Sequence, residues 1–258
     1  MIDRQLKTFG TDFLLLITLF LFTACASTGV SNEDKRKADA ARNLGEAYLN
    51  EGKDTAALSE FLKAEQLAPN DPILHNDLGL VYMKKEKIGL AIEHFKKAIQ
   101  IKPEYSVAKN NLGSAYLVLK EWDEAIPLLE SVTDDLLYAT PHFPLANLGW
   151  AYYNKGEYEK ARKNLIEALK LQPNFFIAQL NLGRTEMALG HPHKAQLLFE
   201  QAAESNPKNP ELLFELGKTY RLLGDYDSAI LALKGAIEYS GDSKLAVEAY
   251  EELKKIYK

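Results

Sequence analysis

The chain has 258 residues, of which 47% are hydrophobic and 26% charged; 31 Lys and Arg stand against 36 Asp and Glu, for a net charge of −5. These values exclude a mostly disordered chain and a multi-span membrane protein. The acidic balance excludes a nucleic-acid binder, which needs clustered cations. A single cysteine excludes an intramolecular disulfide and a thiolate metal cage.

Residues 1–24 (MIDRQLKTFGTDFLLLITLFLFTA) begin with Arg4 and Lys7 and continue into an apolar run from Phe13 to Phe22, broken only by Thr18. A membrane-spanning helix needs roughly 20 apolar residues, so this run is too short to span and has the size of a secretory signal's apolar core. Leu21-Phe22-Thr23-Ala24-Cys25 places the lone cysteine directly after that core. The segment resembles the lipobox of bacterial lipoproteins. That resemblance implies cleavage before Cys25, a diacylglycerol on its sulfur and an acyl chain on its new α-amine. Three chains would anchor permanently, since each buried CH₂ contributes ~0.8 kcal/mol and two chains already hold stably. Ala26 and Ser27 follow, with no Asp beside the cysteine. In such lipoproteins this implies the outer membrane and its periplasmic face. Residues 25–37 are small, polar and charged, and read as a flexible tether.

Beyond the tether the chain repeats itself. Leu-Gly pairs recur with glycines at Gly45, Gly79, Gly113, Gly149, Gly183 and Gly217, spaced by 34, 34, 36, 34 and 34 residues. Twelve positions after each glycine stands Ala57, Ala91, Ala125, Ala161, Ala195 or Ala229. Four further on stands Phe61, Phe95, Leu129, Leu165, Phe199 or Leu233, and three further again Ala64, Ala98, Val132, Ala168, Ala202 or Ala236. Tyr48, Tyr82, Tyr116, Tyr152 and Tyr220 follow their glycines by three, with Glu186 in that place in the fifth unit. Pro69, Pro103, Pro173 and Pro207 close four of the six units. Small residues let two helices approach closely, large apolar ones fill the space between them, and proline stops the second helix.

This pattern resembles the tetratricopeptide repeat (TPR), a helix–turn–helix unit. The expected fold is all-α: a TPR superhelix of six helix–turn–helix repeats over residues 38–243, with a capping helix over residues 244–258. Leu245, Val247, Tyr250, Leu253 and Ile256 are expected on the cap's apolar face, with Asp242 or Ser243 as N-cap. The third-to-fourth junction is two residues longer than the others, around Asp134 to Phe143, and Leu137 stands at the proline position.

In TPR arrays the first helix of each unit lines a concave groove. The resemblance carries peptide-binding positions onto Asn76, Asn110, Phe143, Trp150, Tyr153, Leu180, Arg184, Met187 and Phe214, with Ile177, Glu211, Lys218 and Arg221 at the same register. The apolar and aromatic members are anchor types for an amphipathic or extended segment, and Asn76 and Asn110 are placed to bond its backbone. The basic constellation that TPR clamps use for a terminal carboxylate is absent.

No catalytic motif accompanies the array. There is no HExxH, G-x-S-x-G, phosphate loop or dinucleotide fingerprint. His191 and His193 stand two apart in a turn without an evident third ligand, so no metal site is expected. The chain is read as no enzyme, without catalytic residues, small-molecule substrate or cofactor apart from the lipid on Cys25.

The overall plan resembles the type IV pilus biogenesis/stability lipoproteins, the pilotins of PilF/PilW/Tgl type. Like them it has a short tether, six repeats and a lengthened third-to-fourth junction, here Leu137-Tyr138 followed by Asn147-Leu148-Gly149. The resemblance implies binding of secretin subunits, whose outer-membrane localisation and multimerisation it would promote. The alternative is a TPR lipoprotein scaffold for peptidoglycan hydrolases, or for a polysaccharide-export or outer-membrane assembly complex.

Overall fold

The computed structural model describes residues 30–257. The signal segment and Cys25 lie outside them.

Helices form wherever the repeat pattern places them, and they alternate. The first pair is α1 (Asn32–Asn50) and α2 (Asp54–Leu67), followed by α3 (Pro72–Lys84) and α4 (Ile88–Ile101). Then come α5 (Ser106–Val118) and α6 (Trp122–Thr133), α7 (His142–Asn154) and α8 (Tyr158–Leu171), and α9 (Phe176–Ala188) and α10 (Pro192–Ser205). The last pair is α11 (Pro210–Leu223) and α12 (Tyr226–Ser240), capped by α13 (Lys244–Lys254). Each second helix ends within two residues of the proline, or of the residue that replaces it, except in the third repeat, where the helix stops at Thr133, four residues before Leu137.

The first helix starts at Asn32, inside the stretch read as tether. Ser31 caps it by accepting the Asp34 N–H at 3.0 Å, and Glu33 and Asp34 lie in the first turn, where carboxylates favour the helix dipole. A Glu33–Lys37 ion pair at i,i+4 adds to it.

The turn inside every repeat is made the same way. The N–H of Lys53, Lys87, Glu121, Glu157, His191 or Asp225 reaches back five residues to the carbonyl of Tyr48, Tyr82, Tyr116, Tyr152, Glu186 or Tyr220. The residue before each donor is left-handed: Gly52, Gly156, Gly190 and Gly224, but Glu86 (φ 58°) and Lys120 (φ 61°) in the second and third repeats. This is the helix-ending arrangement that favours glycine.

The interior is a continuous spine. Each repeat glycine lies under the side chain sixteen positions later, which is fully buried in every case. A Cβ at any of the six glycines would fall within 3.0 Å of that ring or branched carbon. The alanines flanking the spine are buried as well. First helices of successive repeats meet one another from α1 to α13, whereas successive second helices do not. The array therefore curves with α1, α3, α5, α7, α9 and α11 on its inner side.

The cap differs from expectation in the face it buries. Ser243 is its N-cap, accepting the Ala246 N–H at 3.3 Å. Ala249 and Leu253 are buried, with Ile256 packed behind them, while Val247 and Tyr250 are more than half exposed. Positions four apart share a helix stripe, and Val247 and Tyr250 fall on the other side of it.

Substituting Gly149→Ala should destabilise the protein by ~1–3 kcal/mol, because the Leu165 branch has no room to yield. Gly89→Ala, on α4 with open space around it, should instead stabilise by ~0.5–1 kcal/mol. Urea unfolding of both variants checks the opposite signs.

Candidate functional site

The concave face divides by chemistry. Its N-terminal half is polar. Arg42 on α1 donates to Asp71 at 3.2 Å and lies 3.4 Å from Glu46. Asp77 on α3 faces this group, and its Oδ2 is buried without a hydrogen-bond partner. Burial first, and then the Glu46 charge, push the Asp77 carboxyl up to about 7. Tyr105 is raised as well, by burial and the nearby acids Asp77 and Asp71.

An amide ladder stitches the inner helices. Asn111 Nδ2 donates to Asn76 Oδ1 at 2.8 Å, and Asn147 Nδ2 donates to Ser114 Oγ at 3.0 Å. Asn76 is thus buried and its oxygen is engaged by the neighbouring repeat, which makes it a strut of the groove floor. Asn110 is also buried, and its Oδ1 has no partner.

The C-terminal half is aromatic. Trp150 and Tyr153 on α7 stack at 5.6 Å with an interplanar angle of 13°, and Tyr158 continues the row at 5.7 Å. The Arg184 guanidinium lies 5.8 Å from the Trp150 ring centroid. Trp150, Ile177, Leu180, Arg184 and Glu211 surround an open cavity of about 280 Å³, with Asn147 at its edge. At the repeat junction, Phe143 meets Phe175 edge-on at 5.3 Å and His142 at 4.3 Å.

The basic side chains here are already paired. Arg184 donates to Glu211 at 2.6 Å and Glu215 at 3.0 Å, and Lys218 donates to Glu215 at 2.8 Å. Arg221 pairs with Glu252 of the cap at 3.1 Å. Burial disfavours the Arg184 charge, yet Glu215 and Glu211 hold its pKa above the ordinary value. A groove whose cations are neutralised in this way suits an apolar, internal segment better than a terminal carboxylate.

Of the nine groove positions read from the sequence, Trp150, Leu180 and Arg184 line the same cavity, with Tyr153 stacked beside them. Met187 packs into the core and accepts a 3.5 Å bond from Thr219 through its sulfur. Phe214 packs against the cluster shared by α12 and the cap, beneath Lys218. Asn76 and Asn110 sit in the polar half. Sequence reading missed Glu215 and Asn147. The Asn-Leu-Gly triads at 43–45, 111–113, 147–149 and 181–183 were the available signal for Asn147.

Two further groupings lie off the groove. Glu186, which replaces the repeat tyrosine, is buried and bonds His191 Nδ1 at 2.7 Å, so this substitution is answered locally. The long junction, residues 134–141, is braced by the Asp135 carboxylate, which accepts from Ser106 and from the Leu137 N–H. These bonds hold the Asp135 pKa below its ordinary value. Leu136 is 97% exposed and Leu137 is 93% exposed.

Asp77 yields a stability prediction. Its folded pKa of about 7 exceeds the ordinary 3.8, so the folded chain holds its proton longer than the unfolded chain does. Stability from this group is therefore complete at low pH and lost as pH rises from about 4 to about 7. Asp77→Asn should remove that decline and raise stability above neutrality, on the order of 1–3 kcal/mol. Thermal melts across this pH range measure it.

Comparisons with known proteins agree with this architecture. In fold, the chain is similar to PilF of Pseudomonas aeruginosa, with a TM-score of 0.74 and 21% identity over 86% of this chain and 100% of that one. It is equally similar to PilW, a widely conserved type IV pilus biogenesis factor, with a TM-score of 0.75 and 21% identity over 86% of this chain and 98% of that one. Among curated relatives, a CTR9 homologue of Arabidopsis thaliana is 31% identical over 118 residues, which are 42% of this chain and 11% of that protein. The chain thus spans about a tenth of the length of that relative. Models described as tetratricopeptide repeat or TPR repeat match residues 45–86, 72–105, 149–190 and 180–243. Those stretches together cover more than half of a chain whose helices all follow one paired plan, and the chain belongs to the tetratricopeptide-repeat family.

Proposed function

We propose that this protein is an outer-membrane lipoprotein of the periplasm that binds secretin subunits and promotes their localisation and multimerisation in type IV pilus assembly. The observation that carries the reading is the whole-length likeness to PilF and PilW. Many TPR proteins share single repeats, but here the likeness extends over 86% of this chain and over 100% and 98% of those chains. Cys25, with its diacylglycerol and N-acyl chain, supplies location. Among the described residues no helix is long and apolar enough to cross a membrane.

The concave face supplies recognition. A secretin segment with apolar side chains at helical or extended spacing would seat them against Trp150, Tyr153 and Leu180. The exposed Leu136–Leu137 loop offers a second apolar contact outside the groove. In this reading the protein acts as an adaptor.

Three outcomes test this reading. Deleting the gene should abolish the heat-resistant secretin multimer on an immunoblot; wild type should restore it, and Cys25→Ala should not. An undiminished multimer in the deletion strain would sink the proposal. Trp150→Ala and Tyr153→Ala should each weaken binding to purified secretin segment by ~1–3 kcal/mol, measured by titration calorimetry. Leu136→Ser with Leu137→Ser should leave unfolding stability within ~0.5 kcal/mol of wild type, since both side chains are solvated. The same pair should reduce secretin capture in a pull-down.

A further inference from the structure

One cluster of metal-ligating atoms lies away from the groove, and the sequence gives no hint of it because its members are ten and nineteen residues apart. Glu65 is on α2, His75 on α3 and His94 on α4. Their side chains converge where the first repeat meets the second. His75 Nδ1 and His94 Nδ1 are 3.1 Å apart. Glu65 Oε1 is 3.8 Å from the first nitrogen and 4.0 Å from the second.

These separations have a simple reading. Ligand atoms about 2.0–2.1 Å from a tetrahedral zinc ion stand roughly 3.3 Å from one another. The nitrogen pair is already slightly closer than that. The carboxylate stands about half an ångström too far and sits on a side chain 31% exposed, which is free to rotate inward.

The surroundings put His75 in its ligand form, and His94 reaches that form when the proton it donates from Nδ1 to His75 Nδ1, at 3.1 Å, moves to Nε2. His75 Nε2 lies 2.9 Å from the Pro69 carbonyl, which accepts only from a protonated nitrogen. A His75 ring with a single proton therefore holds it at Nε2 and presents a lone pair at Nδ1. An imidazole whose outer N–H is held by a backbone carbonyl is the usual second shell of a metal-bound histidine. His94 is stacked between His75 and Tyr82, each at a centroid distance of 5.3 Å, and its plane is thereby set.

We propose that Glu65, His75 and His94 form a binding site for a divalent transition-metal cation of the zinc type, with the fourth position left to water. The ion would cross-link α2 of the first repeat to both helices of the second. It would thereby fix the angle between these repeats and stiffen the N-terminal end of the array next to the lipid tether. The ligand set is two neutral nitrogens and one carboxylate, which selects zinc-type ions over calcium or magnesium. A cation bound only by the folded chain also raises its stability by mass action.

The test uses the full chain in detergent, stripped with chelator, desalted and titrated with Zn²⁺ near neutral pH by calorimetry, with parallel thermal melts. Wild type should show one saturable site and a raised melting midpoint. His94→Gln and Glu65→Gln should each lower the affinity by about tenfold or more and abolish the midpoint shift. The double variant His191→Gln with His193→Gln should bind as wild type does. Both single substitutions are at partly exposed positions, and retained helicity by circular dichroism confirms their fold; if His94→Gln loses helicity, Glu65→Gln alone carries the test. No saturable binding in wild type, undiminished affinity in a folded single variant, or loss of binding in the His191 and His193 variant would overturn the proposal.

Discussion

A missing side chain is the constraint on which this structure depends. At six points an inner helix carries glycine, and the outer helix of the same repeat lays a phenylalanine or leucine directly over it. The two axes can approach only because nothing projects from the inner one, and the large side chain is fully buried only because they approach. The flanking alanines extend the contact along the helix pair. Repeating this contact six times sets the angle inside each repeat.

The angle between repeats has a different origin. Inner helices touch their successors while outer helices do not, so the array bends toward its inner face. The amide ladder from Asn76 to Asn111 and from Ser114 to Asn147 holds successive inner helices in register with part-buried hydrogen bonds. Residues that would look like ligand-binding amides in a single repeat become struts when the next repeat docks. The bend in turn collects side chains from α7, α9 and α11 around one cavity.

Electrostatics then separates the two ends. Toward the N-terminus, Asp77 is buried beside Glu46 with its Oδ2 unpartnered, and the groove there has unspent polar capacity. Toward the C-terminus every cation that faces the groove is matched by an acid, and the aromatic row of Trp150, Tyr153 and Tyr158 is what remains to recognise a partner. This distribution argues for recognition by apolar contact. The exposed leucines of the long junction extend that character outside the groove.

Periodicity in the sequence by itself determined the fold: the glycine, alanine and aromatic positions and the closing prolines all recur at the spacings of two paired helices. Such features are local, and the geometry of one helix or one turn dictates them. It also determined the register of the inner face, so Trp150, Tyr153, Leu180 and Arg184 were legible as groove residues. Only the tertiary structure decided what each of them does there. Whether Arg184 is a free cation depends on Glu211 and Glu215 of the next repeat, and whether Asn76 is available depends on Asn111. The face that the cap buries, the exposure of Leu136 and Leu137, and the meeting of Glu65, His75 and His94 are likewise settled by packing between helices. A repeat pattern encodes each unit's own contacts, whereas a side chain's partners across a repeat boundary depend on the rotation and offset between units, which no single period contains.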